Sequence, residues 1–165
     1  LSGCSGSSSG SGLIGVSMPT QSSTRWISDG DNIKSTLEAD GFQVDLQYAE
    51  DDIPTQVSQL EAMLTKGAKA LIIAAIDGTQ LTDVLQKAKD AGFTDIVVDV
   101  KPIDGSVLYK SDVAPMLKDW KGFRRTDDFD YVDTMIQAGH KHGFKVHLAL
   151  NVFSEGFAQE KTGIA

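Results

Sequence analysis

Three side chains whose chemistry suits carbohydrate recognition follow two apolar runs of this 165-residue chain. Arg25 and Trp26 come after the first run, and Asp77 comes directly after the third. An indole ring stacks on the apolar face of a sugar. A guanidinium donates paired hydrogen bonds to neighbouring hydroxyls, and a carboxylate accepts hydrogen bonds from others. Together these residue types predict a site for a polyhydroxylated ligand.

Each of the three residues also has an ordinary structural role open to it. One alternative is that Trp26 packs beneath the first helix while Arg25 lies in solvent. Another is that Asp77 caps the helix that begins near Thr79, where a carboxylate accepts hydrogen bonds from backbone N–H groups. A capping role is compatible with a ligand role, so the sequence leaves both interpretations open.

Other site chemistries find little support in the sequence. His140 and His142 are two positions apart near a helix end and point to different faces, while His147 lies in a strand, so we expect no metal site. Ser154 lacks the G-x-S-x-G setting of a serine nucleophile, and no glycine-rich phosphate motif follows the first strand. A single cysteine forms neither an internal disulfide nor a Cys-based zinc site. We therefore expect no cofactor.

The composition argues against several classes of protein. There are 23 acidic and 15 basic residues, a formal net charge of -8. Nucleic-acid binding needs clustered Lys and Arg, so we do not expect a nucleic-acid partner. The hydrophobic share of 41% is enough for a folded core. The longest apolar run, Ala70 to Ile76, is far shorter than the roughly 20 residues of a membrane-spanning helix.

Strand-like runs alternate with segments of helical period, and the predicted helices end on glycines. The predicted strands are residues 13–18, 43–48, 69–76, 95–100 and 145–152. The glycines are Gly41, Gly67, Gly92 and Gly143. Most of the strands are nearly continuous in aliphatic residues, which is typical of strands covered on both faces.

This alternation predicts an α/β fold with right-handed crossovers and a parallel sheet, either open or part of a barrel. We favour a three-layer sandwich with an open, mostly parallel sheet of about five strands and a flavodoxin-like arrangement. The first three strands take the order 2-1-3, and the last two lie beside the third. In both architectures ligands approach the carboxyl ends of the strands, the ends that Arg25, Trp26 and Asp77 follow.

Residues 1–12, LSGCSGSSSGSG, are mostly Gly and Ser and predict a flexible tether. The string LSGC resembles the lipobox of bacterial lipoproteins. This resemblance implies that Leu1 to Gly3 are a signal remnant and that Cys4 carries a lipid, which places the protein outside the cytoplasm and holds it to the membrane only by that anchor. The alternative is a stray thiol in a linker.

Residues 13–92 closely resemble the amino-terminal lobe of periplasmic sugar-binding proteins of ABC transporters, of the ribose, galactose and multiple-sugar type. The resemblance lies in LIGVSMPTQSSTRWISDGDNIKSTLEADG, QYAEDDIPTQVSQLEAMLTKGAKALIIAAIDG and TQLTDVLQKAKDAG. It implies a non-enzymatic receptor lobe that binds a monosaccharide and serves a transporter permease. The sugar-site residues it implies are Arg25, Trp26 and Asp77, with Ser17, Thr20 and Ser23 as weaker candidates for the wall. One lobe makes an open half-site, for which we expect millimolar or undetectable affinity.

After Gly92 the sequence resembles a different family. The strings FTDIVVDVKPIDGSVLYKSDVAPMLKDWKGFRR and FDYVDTMIQAGHKHGFKVHLALNVFSEG, within residues 93–157, resemble the early strands of a glycosidase-like (β/α) barrel. The third part of the chain, residues 93–165, is then a barrel segment that completes or extends the sheet, and the chain is a chimera or a fragment. The alternative function is a barrel-enzyme fragment or an inactive scaffold. Glycoside hydrolysis needs two carboxyl groups about 5 to 9.5 Å apart, and the candidates here are Asp99, Asp104 and Glu155.

Overall fold

A computed structural model describes residues 12–101, 105–120, 123–124, 126, 129–151, 156–157 and 162–163. The predicted lipid-bearing Cys4 lies outside the described residues, as do Asp104, Ser154 and Glu155. In chain order the elements are β1 (Leu13–Met18), α1 (Thr24–Ala39), β2 (Gln43–Tyr48), α2 (Ile53–Thr65), β3 (Ala70–Ile73), a short 3₁₀ helix (Gly78–Leu81), α3 (Thr82–Asp90), β4 (Asp95–Asp99), β5 (Asp119–Trp120), β6 (Phe123–Arg124), α4 (Tyr131–Lys141), β7 (Lys145–Ala149), β8 (Gly156–Phe157) and β9 (Thr162–Gly163).

The chain forms two compact units, Leu1–Phe93 and Thr94–Ala165. The first contains a three-stranded sheet in the order β2-β1-β3, and β1 pairs in parallel with both neighbours. The predicted order 2-1-3 is therefore confirmed. Because all three strands run the same way, their carboxyl ends lie at one edge of the sheet.

Helices cover both faces of this sheet. Alternate residues of β1, namely Ile14, Val16 and Met18, form one core cluster with α1 residues such as Ile33 and Leu37. On the other face, Leu60 and Met63 of α2 and Val84 of α3 form a second cluster that also contacts Leu71 and Ile73 of β3. The predicted α/β sandwich of three layers is thus the architecture of this unit.

The predicted helix-ending glycines all adopt the left-handed conformation. Their φ angles are 91° at Gly41, 83° at Gly67, 95° at Gly92 and 76° at Gly143. Each comes one residue after a helix C-cap, at the position where a Cβ atom is costly and glycine is not. The sequence therefore located the four helix ends correctly.

The second unit contains a separate parallel pair, β4 with β7. The last two predicted strands pair with each other, as the predicted order requires, but they form a sheet of their own and do not extend the three-stranded sheet beside β3. An apolar run indicates a strand but does not specify which backbone it bonds. Here the register sets Asp95 opposite Lys145, and His147 Nε2 lies 2.7 Å from Asp95 Oδ1. The short antiparallel pairs β5-β6 and β8-β9 also belong to this unit.

Among the described residues, those that pack on the β4-β7 pair cover one of its faces. Val98 packs against Val132 of α4, and Ile96 and Val146 contact the same cluster. On the opposite face, Val97 is 67% exposed. The expectation that aliphatic strands are covered on both faces is therefore wrong for this pair. Among the described residues, no helix has the length and apolar character needed to cross a membrane.

Close packing of β1 against α2 gives a first testable prediction. A Cβ atom on Gly15 would lie 2.6 Å from Met63 Sδ, 3.1 Å from Met63 Cβ and 2.8 Å from Leu71 Cδ2. Alanine normally favours a strand over glycine, but here it overfills the core. We expect Gly15→Ala to lower the free energy of unfolding by about 1 to 3 kcal/mol, measured by urea denaturation.

Gly78→Ala is the matched control, since no atom other than those of its chain neighbours lies within 4 Å of its Cβ position. A Gly15→Ala variant as stable as wild type would contradict the close approach of α2 to β1.

Candidate functional site

Three loops meet where β1, β2 and β3 end. The loop after β2 is bonded to the loop after β1, because Asp51 N donates to Pro19 O at 2.8 Å. The segment leaving β3 is held to β1 by Ala74 N, which donates to Ser17 O at 2.9 Å. Backbone hydrogen bonds thus continue past the ends of the strands and hold these loops at the carboxyl edge of the sheet.

Arg25 and Trp26 lie in the first turn of α1, directly after the first of these loops. The Arg25 guanidinium carbon is 4.8 Å from the centre of the Trp26 ring, which is cation–π geometry. Its Nε also lies 3.5 Å from Asp29 Oδ2, one turn along the helix. The side chain of Arg25 nevertheless remains 59% exposed, so the guanidinium is accessible to a ligand.

Trp26 combines the two roles that the sequence left open. Its ring is half-buried and packs against the core cluster of Ile14, Val16 and Met18. It also lines a cleft of about 280 Å³, where Asp29 and Asn32 supply polar groups. The apolar lining includes Met18, Ile33, Ile72 and Ala74, so the cleft lies where β1 and β3 end. A cleft with an aromatic wall and a few polar groups is typical of small-molecule sites.

Asp77 caps the short 3₁₀ helix that follows β3, as the structural interpretation of the sequence predicted. Asp77 Oδ1 accepts hydrogen bonds from Thr79 N at 2.9 Å and from Thr79 Oγ1 at 2.7 Å. The Thr79 hydroxyl, followed by the Thr79 backbone N–H, lowers the pKa of Asp77 below its ordinary value of 3.8. Asp77 is therefore a carboxylate at neutral pH, only partly shielded from solvent. Its contact with a ligand stays a prediction.

The structure brings Arg25 and Trp26 into contact and sets Asp77 after the neighbouring strand of the same sheet. Of the weaker candidates, Thr20 is 7% exposed; its Oγ1 donates to Ser22 Oγ at 3.0 Å and accepts from Ser22 N at 3.1 Å. Ser23 is the half-buried residue before α1, and its side chain does not cap the helix.

Ser17 differs from the other candidates because it is fully buried. Its Oγ accepts a hydrogen bond from Gln56 Nε2 at 3.1 Å. In this arrangement its hydroxyl serves the interior of the unit and offers no surface to a ligand.

Two features of this edge went unrecognised in the sequence. Gln56 is buried on α2 and bonds both β1 and the segment after β3. The sequence did contain a sign of its burial: Gln56 lies four and seven residues before the buried Leu60 and Met63, on the same face of the helix. Glu50 and Asp51 have positive φ angles of 52° and 59°. Strained backbone of this kind concentrates at functional sites, but no local sequence pattern revealed it.

The second unit has a cleft of its own, of about 310 Å³, which Tyr109, Lys110 and Asp130 line together with apolar residues of β7 and α4. Asp130 is engaged as the α4 N-cap and accepts from Asp133 N and Lys110 N, both at 3.0 Å. In the part of the chain that the structure describes, no three His, Cys, Asp or Glu side chains gather to hold a metal ion.

The carboxylates considered for glycoside hydrolysis do not form a described pair. Asp99 Oδ1 accepts from its near neighbour Lys101 N at 3.1 Å. Asp104 and Glu155 lie outside the described residues.

Known proteins similar to this chain include the multiple sugar-binding periplasmic receptor ChvE of Rhizobium radiobacter, 60% identical over 88 residues. The multiple sugar-binding periplasmic protein SbpA of Azospirillum brasilense is 58% identical over 86 residues. These matches cover 53% and 52% of this chain but 25% and 24% of the relatives. The chain thus spans about a quarter of the length of these curated relatives.

A similar solved structure is the crystal structure of an ABC transporter solute binding protein from Clostridium phytofermentans with bound β-D-glucose. It has a TM-score of 0.50 and 41% identity, and the match covers 62% of this chain and 30% of that chain. Its similarity supports the α/β lobe described above.

Residues 14–113 match the periplasmic binding protein domain. The resemblance therefore does not stop at Gly92, as the sequence suggested, but continues to residue 113. This continuation gives no support to a junction between two unrelated proteins at Gly92. With more than half of its length matched, the chain belongs to the periplasmic binding protein domain family.

Proposed function

We propose that this chain contributes one wall of a monosaccharide-binding site in a receptor of an ABC transporter. The observation that carries the proposal is the Arg25 guanidinium stacked 4.8 Å from the centre of the Trp26 ring, beside a cleft at the carboxyl edge of the sheet. Relatives described as multiple sugar-binding proteins give further support.

Each of the main side chains has a distinct task in this proposal. The half-buried Trp26 ring is braced by the core and stacks on the apolar face of the sugar ring. Arg25 donates to neighbouring hydroxyls, and its stacking on Trp26 reduces the conformational freedom that binding would otherwise remove. Asp77 accepts from further hydroxyls as a carboxylate, while Thr20 and Ser23 form part of the wall.

The proposed site is half of an enclosure. Burying a small ligand on several sides provides most of its affinity. The residues of this lobe supply one side of that burial, so of the two expected outcomes, millimolar or undetectable affinity, the proposal requires the millimolar one.

The proposed cellular role follows from the relatives. We place the protein outside the cytoplasm, as a non-enzymatic receptor that passes its sugar to a transporter permease. Lipidation of Cys4 is the proposed anchor. It rests on the LSGC string alone, since Cys4 lies outside the described residues.

Sugar binding is best tested by saturation-transfer NMR, which detects weak complexes. We expect transfer to at least one of glucose, xylose, arabinose and galactose. Arg25→Ala, Trp26→Ala and Asp77→Asn should each weaken binding by about tenfold, because each removes a charged hydrogen-bonding group or the stacking surface.

Lys34→Ala is the control, because it removes a positive charge elsewhere on α1. Lys34 Nζ lies 3.9 Å from Glu38 Oε1. Absence of transfer to all four sugars would contradict the proposal, as would binding unaffected by the three site variants. Turnover of an aryl glycoside that Glu155→Gln abolishes would favour the enzyme interpretation instead.

The pH dependence of sugar affinity follows from the Asp77 carboxylate. Because its pKa is lowered below 3.8, affinity should be constant from neutral pH to about pH 5 and fall only as Asp77 protonates in stronger acid. The stability contributed by this cap has the same sign: it is complete above the unfolded-state pKa and is lost as pH falls through the folded-state pKa.

Thr79→Val removes the hydroxyl donor and should move both the Asp77 pKa and the loss of affinity to higher pH. Carboxyl NMR titration and binding at a series of pH values measure the two effects. Thr65→Val is the control, since that hydroxyl bonds Glu61 O. An Asp77 pKa that Thr79→Val leaves unchanged would rule out the hydroxyl as its cause.

A further inference from the structure

The side chain of Gln56 is a polar group in the interior of the first unit, only 1% exposed. It lies on the face of α2 that also carries the buried Leu60 and Met63. An aliphatic side chain would satisfy the packing there without the cost of burying an amide. The choice of glutamine therefore needs a hydrogen-bonding reason.

The Gln56 amide makes three hydrogen bonds, and all of them go to β1 or to the chain leaving β3. Its Nε2 donates to Ser17 Oγ and to Ala74 O, each at 3.1 Å. Its Oε1 accepts from Ile76 N at 3.0 Å. Two backbone groups of the segment after β3, which has left the sheet ladder, are thus satisfied by this one side chain.

The segment that Gln56 holds leads directly to Asp77. Ala74 is also bonded to β1 through its N–H, which donates to Ser17 O at 2.9 Å. Ala74 and Ile76 are therefore fixed relative to the end of β1, and Asp77 is the next residue. The direction in which Asp77 leaves the sheet depends on these bonds.

We propose that Gln56 is a positioning residue that holds the segment from Ala74 to Ile76 and so sets where Asp77 is presented to the sugar. The part of this inference that concerns sugar rests on the proposed function. The part that concerns the position of Asp77 rests on the three hydrogen bonds and is tested without a ligand.

Two variants of the full chain separate positioning from packing. Gln56→Leu keeps the volume but leaves Ala74 O and Ile76 N without their partner. Gln56→Glu keeps an acceptor for Ile76 N, and burial raises the pKa of the new carboxyl, so in mild acid it also regains a donor for Ala74 O. If Gln56 acts by positioning the segment, Gln56→Glu should preserve the hydrogen bond to Ile76 N that Gln56→Leu removes.

The first measurement is amide hydrogen exchange of Ile76, compared with amides of β1 that report opening of the whole unit. We expect Ile76 to exchange about tenfold faster in Gln56→Leu relative to those reference amides, and at close to the wild-type ratio in Gln56→Glu. The second measurement is the Asp77 pKa by carboxyl NMR, which reports whether Asp77 keeps its two hydrogen bonds from Thr79. A displaced Asp77 weakens those bonds, so the pKa should rise toward 3.8 in Gln56→Leu but not in Gln56→Glu.

Val57→Ala is the matched control, since Val57 is the next residue of α2 and packs against the same core. It lowers stability without touching the amide network, so the Ile76 ratio and the Asp77 pKa should stay at wild-type values. The proposal is overturned if Gln56→Leu changes neither quantity, or if Val57→Ala or Gln56→Glu changes them as much as leucine does.

Sugar binding by the same variants is the third measurement. If wild type binds sugar, Gln56→Leu should weaken binding about as much as Asp77→Asn, while Gln56→Glu in mild acid retains it. If wild type binds no sugar, the proposed function fails, yet the exchange and titration results still decide whether Gln56 positions Asp77. If sugar binds equally to wild type and Gln56→Leu, the positioning role for sugar is overturned and the receptor function stands.

Discussion

The parallel pairing of β1 with both β2 and β3 is the constraint on which the candidate site depends. It brings three carboxyl strand ends to one edge, so residues far apart in the chain come close together. Backbone donors must stay paired as the strands end, and bonds such as Asp51 N to Pro19 O extend the ladder into the loops. These hydrogen bonds therefore hold the polar residues of the loops in place.

Structural and binding roles coincide at several residues of this edge. Trp26 is braced against the core cluster and still lines the cleft, and Asp77 caps a helix while it remains an ionised acceptor. At Asp77 the two roles are compatible because both capping hydrogen bonds go to one carboxylate oxygen, Oδ1. A side chain that is already ordered loses less entropy when a ligand arrives.

The second unit shows what an apolar pattern predicts about a strand and what it does not. The strands near residues 95 and 145 were located correctly and pair with each other, but they form a sheet of their own and do not extend the three-stranded sheet beside β3. Aliphatic character also overstated their coverage, because Val97 remains exposed on the face opposite α4. A hydrophobic run reports that a segment is extended; it carries no information about which other backbone offers the matching donors and acceptors.

The sequence by itself determined the strand–helix alternation, the four helix-ending glycines, the 2-1-3 order and the family resemblance, and it offered the cap at Asp77 as one of two open roles. These features follow from local steric and hydrogen-bonding preferences or from long stretches of similar sequence. Only the tertiary structure decided that Ser17 is buried, that Gln56 bonds the segment before Asp77, and that Glu50 and Asp51 adopt left-handed backbone. Those outcomes depend on what packs around a residue, because burial and non-local hydrogen bonds are properties of neighbours that the local sequence does not name.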